Sequence, residues 1–178
     1  PGKPIEEVER ELGIEGCVKM ASNENPMGPS PKAVAAIRDA LDKLHLYPDG
    51  GGYYLKKRLS ELSGFPPEQI YLGNGSNECI ELIIRTFYQP GMNTVTSDAA
   101  FIMFPLGTQA FGCEMRYAPL TEDYRFDLDA MVELVDERTR IIYIANPNNP
   151  TGTYLTDSEL TGFLAKVDAR TDPDDRPI

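Results

Sequence analysis

The chain has 178 residues, 41% of them hydrophobic and 25% charged, a balance that suits one sizeable soluble domain with a genuine core. Its 17 Lys and Arg against 28 Asp and Glu leave a net charge of −11, and no basic cluster exceeds Lys56-Lys57-Arg58, which argues against a nucleic-acid partner. No apolar run approaches the length of a membrane span and Pro1-Gly2-Lys3-Pro4 lacks the apolar core of a signal peptide, so a cytoplasmic location is expected.

Residues 4–12 read as a short charged helix closed by Gly13, and residues 18–21 as a brief extended piece. Ser22-Asn23-Glu24-Asn25-Pro26-Met27-Gly28-Pro29-Ser30-Pro31 is too rich in Pro, Gly and Asn for regular structure and reads as a loop dense in amide and carboxylate groups. Ser30 as a cap and Pro31 at the first helical position open a helix with Val34, Ile37, Ala40, Leu41 and Leu44 on one face, which stops before Tyr47-Pro48. The three glycines of Tyr47-Pro48-Asp49-Gly50-Gly51-Gly52-Tyr53 suit a flexible loop or one that hugs another surface, and residues 54–62 form a second helix ending against Gly64.

Ile70-Tyr71-Leu72-Gly73-Asn74-Gly75-Ser76-Asn77-Glu78 reads as a strand, a glycine turn and the start of an amphipathic helix carrying Ile80, Leu82, Ile83, Ile84 and Phe87. Such a junction favours an anion, because first-turn N–H groups lack intrahelical partners, the helix dipole is positive there and glycine lets a ligand approach the backbone. An ordinary turn in which Ser76 or Asn77 merely caps the helix fits the same residues. Beyond Pro90-Gly91, residues 94–96 begin a strand, 101–111 form an apolar helix closing at Gly112, 114–118 alternate like a strand and 127–135 are helical. Arg140-Ile141-Ile142-Tyr143-Ile144-Ala145 is apolar enough for a central parallel strand, and Asn146-Pro147-Asn148-Asn149-Pro150-Thr151-Gly152 lies at its carboxyl end. Thr156 with Glu159 forms a capping box for the last helix.

This alternation predicts an α/β fold with a mostly parallel sheet flanked by helices, in which ligands bind beyond the carboxyl ends of the strands. Both 73–78 and 146–152 fall there. Cys17, Cys79 and Cys113 are odd in number and widely spaced, which suggests neither a disulfide framework nor a zinc site, and Cys79 and Cys113 suit small core positions. His45 has no second ligand nearby and suits a helix end or a packed position, so no metal site is expected.

Ser22-Asn23-Glu24-Asn25-Pro26, Tyr47-Pro48-Asp49-Gly50-Gly51-Gly52-Tyr53, Gly73-Asn74-Gly75-Ser76-Asn77-Glu78 and Asn146-Pro147-Asn148-Asn149-Pro150-Thr151-Gly152, in this order and spacing, resemble histidinol-phosphate aminotransferases. These are pyridoxal 5'-phosphate enzymes of the aspartate aminotransferase fold, fold-type I. The resemblance implies amino transfer between histidinol phosphate and 2-oxoglutarate, with glutamate as product, by a homodimer. It implies that Ser76 and the N–H groups of Ser76 and Asn77 hold the cofactor phosphate, that Phe104 stacks on the pyridine and that Asn149 donates to the pyridine 3-oxygen. Tyr47 would reach the phosphate of the other subunit, and Asn23 would lie near the substrate. By the same resemblance residues 1–45 form an N-terminal arm and part of a small domain, 46–167 a partial cofactor-binding large domain, and 168–178 a polar tail left unassigned.

The family's Schiff-base lysine, pyridine-nitrogen aspartate and substrate-carboxylate arginine come later than the Asn-Pro-Thr-Gly motif. None of Lys3, Lys19, Lys32, Lys43, Lys56, Lys57 and Lys166 has the apolar, cofactor-facing setting such a lysine needs, so the chain is expected to represent the N-terminal half, without a catalytic residue of its own and inactive alone. Phosphothreonine decarboxylases of the same fold share several of these loops. A non-catalytic phosphate-binding or interaction fragment is the alternative from a different class.

Overall fold

Caps and breakers set the helices of the first of two compact units, Pro1–Tyr53 and Tyr54–Ile178, in a computed structural model that describes residues 2–172 and 176–178. Helix α1 (Ile5–Leu12) has Glu6 and Glu7 in its first turn, where the dipole favours them, and ends at Gly13, whose φ of 64° lets its N–H return to Glu9 O. Helix α2 (Pro31–Ala40) starts on Pro31 and tightens into a 3-10 turn over Leu41–Lys43, although the Ser30 hydroxyl makes no cap bond. The glycine-rich turn after Tyr47 is held by Asp49, whose carboxylate accepts from Tyr53 N at 2.8 Å and Gly51 N at 3.0 Å, bonds that draw its pKa below the ordinary carboxylate value. His45 is exposed, and no described residue of this unit is buried.

The second unit is a three-layer α/β arrangement. Helices α3 (Tyr53–Ser63), whose first residue belongs to the first unit, and α4 (Gly75–Phe87) precede strand β1 (Asn93–Ser97). Then come α5 (Met103–Ala110), β2 (Glu114–Ala118), α6 (Leu128–Glu133), β3 (Thr139–Ile142) and α7 (Asp157–Asp168). The three strands pair in parallel, in the order β2-β1-β3, as expected where each strand returns through a helix. Side chains alternate across the sheet. Val95 and Ala118 join Phe126, Met131, Phe163 and Val167 on the α6 and α7 face, while Ile141 and Tyr143 join Ile80, Ile84 and Cys113 on the α4 and α5 face.

Two expectations are corrected. Ile70-Tyr71-Leu72 is not a strand: it follows the 3-10 turn Pro67–Gln69 and joins no ladder among the described residues, and Tyr71 is exposed. The strand expected over 140–145 is β3, whose ladder ends at Ile142, and the middle of the three strands is β1. A central strand reading Asn-Thr-Val-Thr-Ser is unusual in polarity, and it is wholly buried. Its hydroxyls are accommodated by carbonyls: Thr96 Oγ1 donates to Tyr143 O at 3.1 Å and Thr94 Oγ1 to Glu114 O at 3.2 Å. The outer edge of β3 receives Ile178, whose N–H donates to Arg140 O at 2.9 Å and whose carbonyl accepts from Ile142 N at 2.8 Å, the two bonds of a parallel ladder. Positions 173–175 of the expected polar tail lie outside the described residues. Among the described residues no helix is long and apolar enough to cross a membrane.

At the amino ends of the strands a polar cluster closes on Asp136. Asn93 Nδ2 donates to Asp136 Oδ1 at 2.9 Å, Arg116 Nη1 to Asp136 Oδ2 at 2.8 Å, and Thr139 Oγ1 to Asn93 Oδ1 at 2.8 Å. Burial pushes the Asp136 carboxyl up, but bonds from Asn93, Arg116 and the Arg138 N–H outweigh it and bring it down to about 2. A carboxylate depressed on folding stabilises the native state above its ordinary pKa of 3.8 and loses that contribution as pH falls towards 2. Asp136→Ala should therefore flatten the acid limb of stability between these values. At pH 7 it should cost about 1 to 3 kcal/mol, because it leaves the buried Asn93 amide without its acceptor and removes one of the partners of Arg116. Urea melts of both proteins across this pH range check both effects.

Candidate functional site at the carboxyl edge of the sheet

Helix direction assembles the site. Arg140 Nε donates to Phe87 O at 3.3 Å, and the turn after Tyr88 leads directly into β1, so the C-terminus of α4 lies at the amino ends of the strands. Thirteen helical residues rise about 20 Å and a five-residue strand about 16 Å, so the N-terminus of α4 reaches the carboxyl edge. Gly107 of α5 keeps the helix there: a Cβ on it would stand 3.0 Å from Ile84 Cδ1. The loop 146–152 leaves β3 at the same edge, and Asn148 Nδ2 donates to Ala99 O, in the connection from β1 to α5, at 3.0 Å. Three loops thus lie at the carboxyl edge, 73–77, 98–102 and 146–152, of which the last two are joined by the Asn148 bond.

The first loop leaves backbone donors exposed. Asn74 occupies the N-cap of α4 without a side-chain cap bond, so Ser76 and Asn77, both exposed, present first-turn N–H groups that have no intrahelical acceptor. Glu78, the acid of that turn, is drawn back: its Oε2 accepts from Asn74 N at 2.6 Å and Asn74 Nδ2 at 3.0 Å. Gly73 makes room for it, since a Cβ there would meet Cys79 Sγ at 2.8 Å and Glu78 Oε2 at 3.3 Å. Gly75 has a φ of 74°, which favours glycine at the turn into the helix.

Phe104, in the first turn of α5, has one ring face stacked on Tyr143 at 4.6 Å between centroids and an edge-on contact with Phe101 at 5.7 Å. Burial raises the Tyr143 pKa, and its hydroxyl meets Thr108 Oγ1 at 3.5 Å, so it serves as a packed neutral ring. In the third loop Asn149 is exposed, whereas Asn148 beside it is only 4% exposed and makes the loop's internal bonds. Nothing in Pro147-Asn148-Asn149-Pro150 distinguishes the two asparagines by composition, so the sequence carries no signal that marks Asn148. The structure thus brings Ser76, Asn77, Phe104 and Asn149 to one edge of the second unit, while Tyr47 and Asn23 belong to the first unit and are exposed there.

A separate cavity of about 440 Å³ is lined by residues including Arg125, Asp129, Glu159 and Lys166. Its cations are already paired, Arg125 Nη2 with Glu159 Oε1 at 2.8 Å and Lys166 with Asp129. It contains none of the loops just described.

The chain matches a family model described as aminotransferase class I and II over residues 15–171. It is 49% identical over 167 residues to a histidinol-phosphate aminotransferase of Anaeromyxobacter, covering 94% of this chain and 46% of the relative. Histidinol-phosphate aminotransferase 2 of Pseudomonas fluorescens is 51% identical over 171 residues, covering 95% and 46%. Among solved structures, histidinol-phosphate aminotransferase from Sinorhizobium meliloti in complex with pyridoxal-5'-phosphate superposes with a TM-score of 0.85 at 25% identity, covering 99% of this chain and 51% of that one. The chain spans about half the length of the relatives it matches.

The close approach at Gly73 gives a prediction. Gly73→Ala should destabilise the second unit by about 1 kcal/mol, the low end for overpacking because the thiol can rotate. Cys79→Ala in the same chain should recover most of the loss. Additive effects in a double-mutant cycle by urea denaturation would show that the thiol contact is not the cause.

Proposed function

The chain belongs to the class I and II aminotransferase family, and we propose that it is the amino-terminal part of a pyridoxal 5'-phosphate-dependent histidinol-phosphate aminotransferase of histidine biosynthesis. The observation that carries this is identity near 50% along nearly the whole chain to relatives bearing that name. The reaction proposed for the whole protein is amino transfer between histidinol phosphate and 2-oxoglutarate, giving glutamate, in the cytoplasm and in a homodimer.

The residues at the carboxyl edge suit such a cofactor. The Ser76 hydroxyl and the free N–H groups of Ser76 and Asn77 would donate to its phosphate at the positive end of α4. With Glu78 held back on Asn74, no carboxylate of that turn competes for those donors. The Asn149 amide, exposed at the edge, would donate to the ring 3-oxygen, favouring its ionised form. Phe104 would offer aromatic surface to the ring from the side not covered by Tyr143. When bound, the cofactor supplies the electron sink for breaking the Cα–H bond of the amino substrate. Tyr47 is assigned to the phosphate of the partner subunit and Asn23 to the substrate. Residues 1–45 are assigned to an arm and small domain and 46–167 to the cofactor domain.

None of the seven lysines lies in the three edge loops, and Lys166 is paired with Asp129 on the opposite face of the sheet from α4. Covalent attachment of the cofactor is therefore assigned to a lysine outside these 178 residues. Hydrogen bonds to charged groups contribute about 1.5 to 3 kcal/mol each, against an association cost of about 4 to 15 kcal/mol. The isolated chain should bind pyridoxal 5'-phosphate weakly and reversibly and should transfer no amino group. Borohydride reduction followed by peptide mapping checks this: a stoichiometric pyridoxyl-lysine on any of the seven, together with amino transfer, would overturn it. In the full-length protein, Ser76→Ala should weaken cofactor affinity about tenfold, measured by dialysis and absorbance. Failure of that protein to convert histidinol phosphate and 2-oxoglutarate would refute the activity.

A further inference from the structure

Asn148 is the least exposed residue of the loop that carries Asn149, and it binds in four directions. Its N–H donates to Thr153 O at 2.8 Å and its carbonyl accepts from Gly152 N at 2.8 Å, which closes the loop on itself. Its side-chain Nδ2 spends both hydrogens, on Ala99 O at 3.0 Å and on Thr151 Oγ1 at 2.9 Å. The Ala99 bond crosses from the loop after β3 to the connection between β1 and α5, the segment that leads into Phe101 and Phe104. Thr151 is tied onward to Thr153 at 2.8 Å, and Thr153 Oγ1 donates to Tyr124 O at 3.0 Å.

The same amide leaves its Oδ1 buried without a partner, as is Ser97 Oγ two residues before Ala99. An unpaired buried oxygen lowers stability. The orientation follows from what the nitrogen reaches: turned over, the amide would set Oδ1 against Ala99 O and lose that donated bond.

We infer that Asn148 is a positioning residue, clamping the loop of Asn149 to the β1–α5 connection so that the exposed amide and the aromatic pair share one rigid frame. The inference rests on the assignment of Asn149 to the ring 3-oxygen, and it adds the device that holds Asn149 there. A carboxylate at this position has no hydrogen to give Ala99 O. Protonated, it regains one.

The test uses the full-length protein that carries this chain, loaded with pyridoxal 5'-phosphate. It compares Asn148→Asp, Asn148→Ser and Asn149→Ala, reading the pH midpoint of the bound cofactor's absorption and amide exchange of the peptide spanning residues 146–153. Loss of the Asn149 hydrogen bond should raise the midpoint by about half a pH unit or more. The Asn148 variants should move it the same way and speed exchange about tenfold, with exchange in Asn148→Asp returning towards the parent rate at low pH. Adding Asn148→Asp to Asn149→Ala should shift the midpoint no further, since no amide remains to be positioned. An unmoved midpoint in folded Asn148 variants, or an additive shift in the double variant, overturns the inference. Should Asn149→Ala itself leave the midpoint in place, the Asn149 assignment fails instead. The clamp then stands or falls on exchange alone, and unchanged rates in residues 146–153 overturn it.

Discussion

The constraint on which the second unit depends is a polar strand buried between two helical layers. Every residue of β1 is buried, and four of its five side chains are polar, so the fold must find partners for them. It does so unevenly along the strand. At the amino end Asn93 enters a closed network with Asp136, Thr139 and Arg116, and in the middle the threonine hydroxyls bond to carbonyls of β2 and of the chain leaving β3. At the carboxyl end Ser97 Oγ has no partner, and neither has Asn148 Oδ1 in the adjoining loop. The end with complete networks holds the sheet together. The end with open valences is where the loops converge.

Legibility in the sequence followed the range of the interaction. Local chemistry was readable: Gly13 and Gly112 take positive φ after their helices, and Thr156 with Glu159 makes the reciprocal capping box. That box, with Arg125, brings the Glu159 carboxyl down to about 2, and Arg125 also donates to Tyr154 O at 2.9 Å, fixing the start of α7 to the turn before α6. Long-range partnership was less readable. Ile70-Tyr71-Leu72 has strand-forming residues and no strand partner among the described residues, whereas β1 has a strand on each side and residues that look solvated. Propensity reports a side chain's fit to a sheet but is silent on which strand edge stands beside it.

The candidate site shows the same division. Gly73, Gly75 and Ser76 could be placed at a helix start from their own neighbours, because the anion-binding property belongs to the helix end itself. The division of labour between two adjacent asparagines could not, because it depends on Ala99, about fifty positions away in the chain. Exposure of Asn149 and burial of Asn148 are two halves of one arrangement: a side chain held out at the edge is directional only if its backbone is fixed, and the neighbouring amide fixes it.

The first unit poses the opposite problem, of surface without a core. None of its described residues is buried, and Val18, Met20, Met27, Leu44 and Tyr47 are between 75% and 102% exposed. About fifty residues seldom stabilise themselves without burying apolar area, and the bonds seen here, such as Asp49 to Tyr53 N and Glu9 to Cys17 N, shape turns and bury little. Stability for this segment must therefore come from contact beyond itself. Contact with the remainder of a longer chain or with a second subunit would cover these apolar side chains, and either would give Tyr47, otherwise fully in solvent, a reason to be aromatic and polar at once.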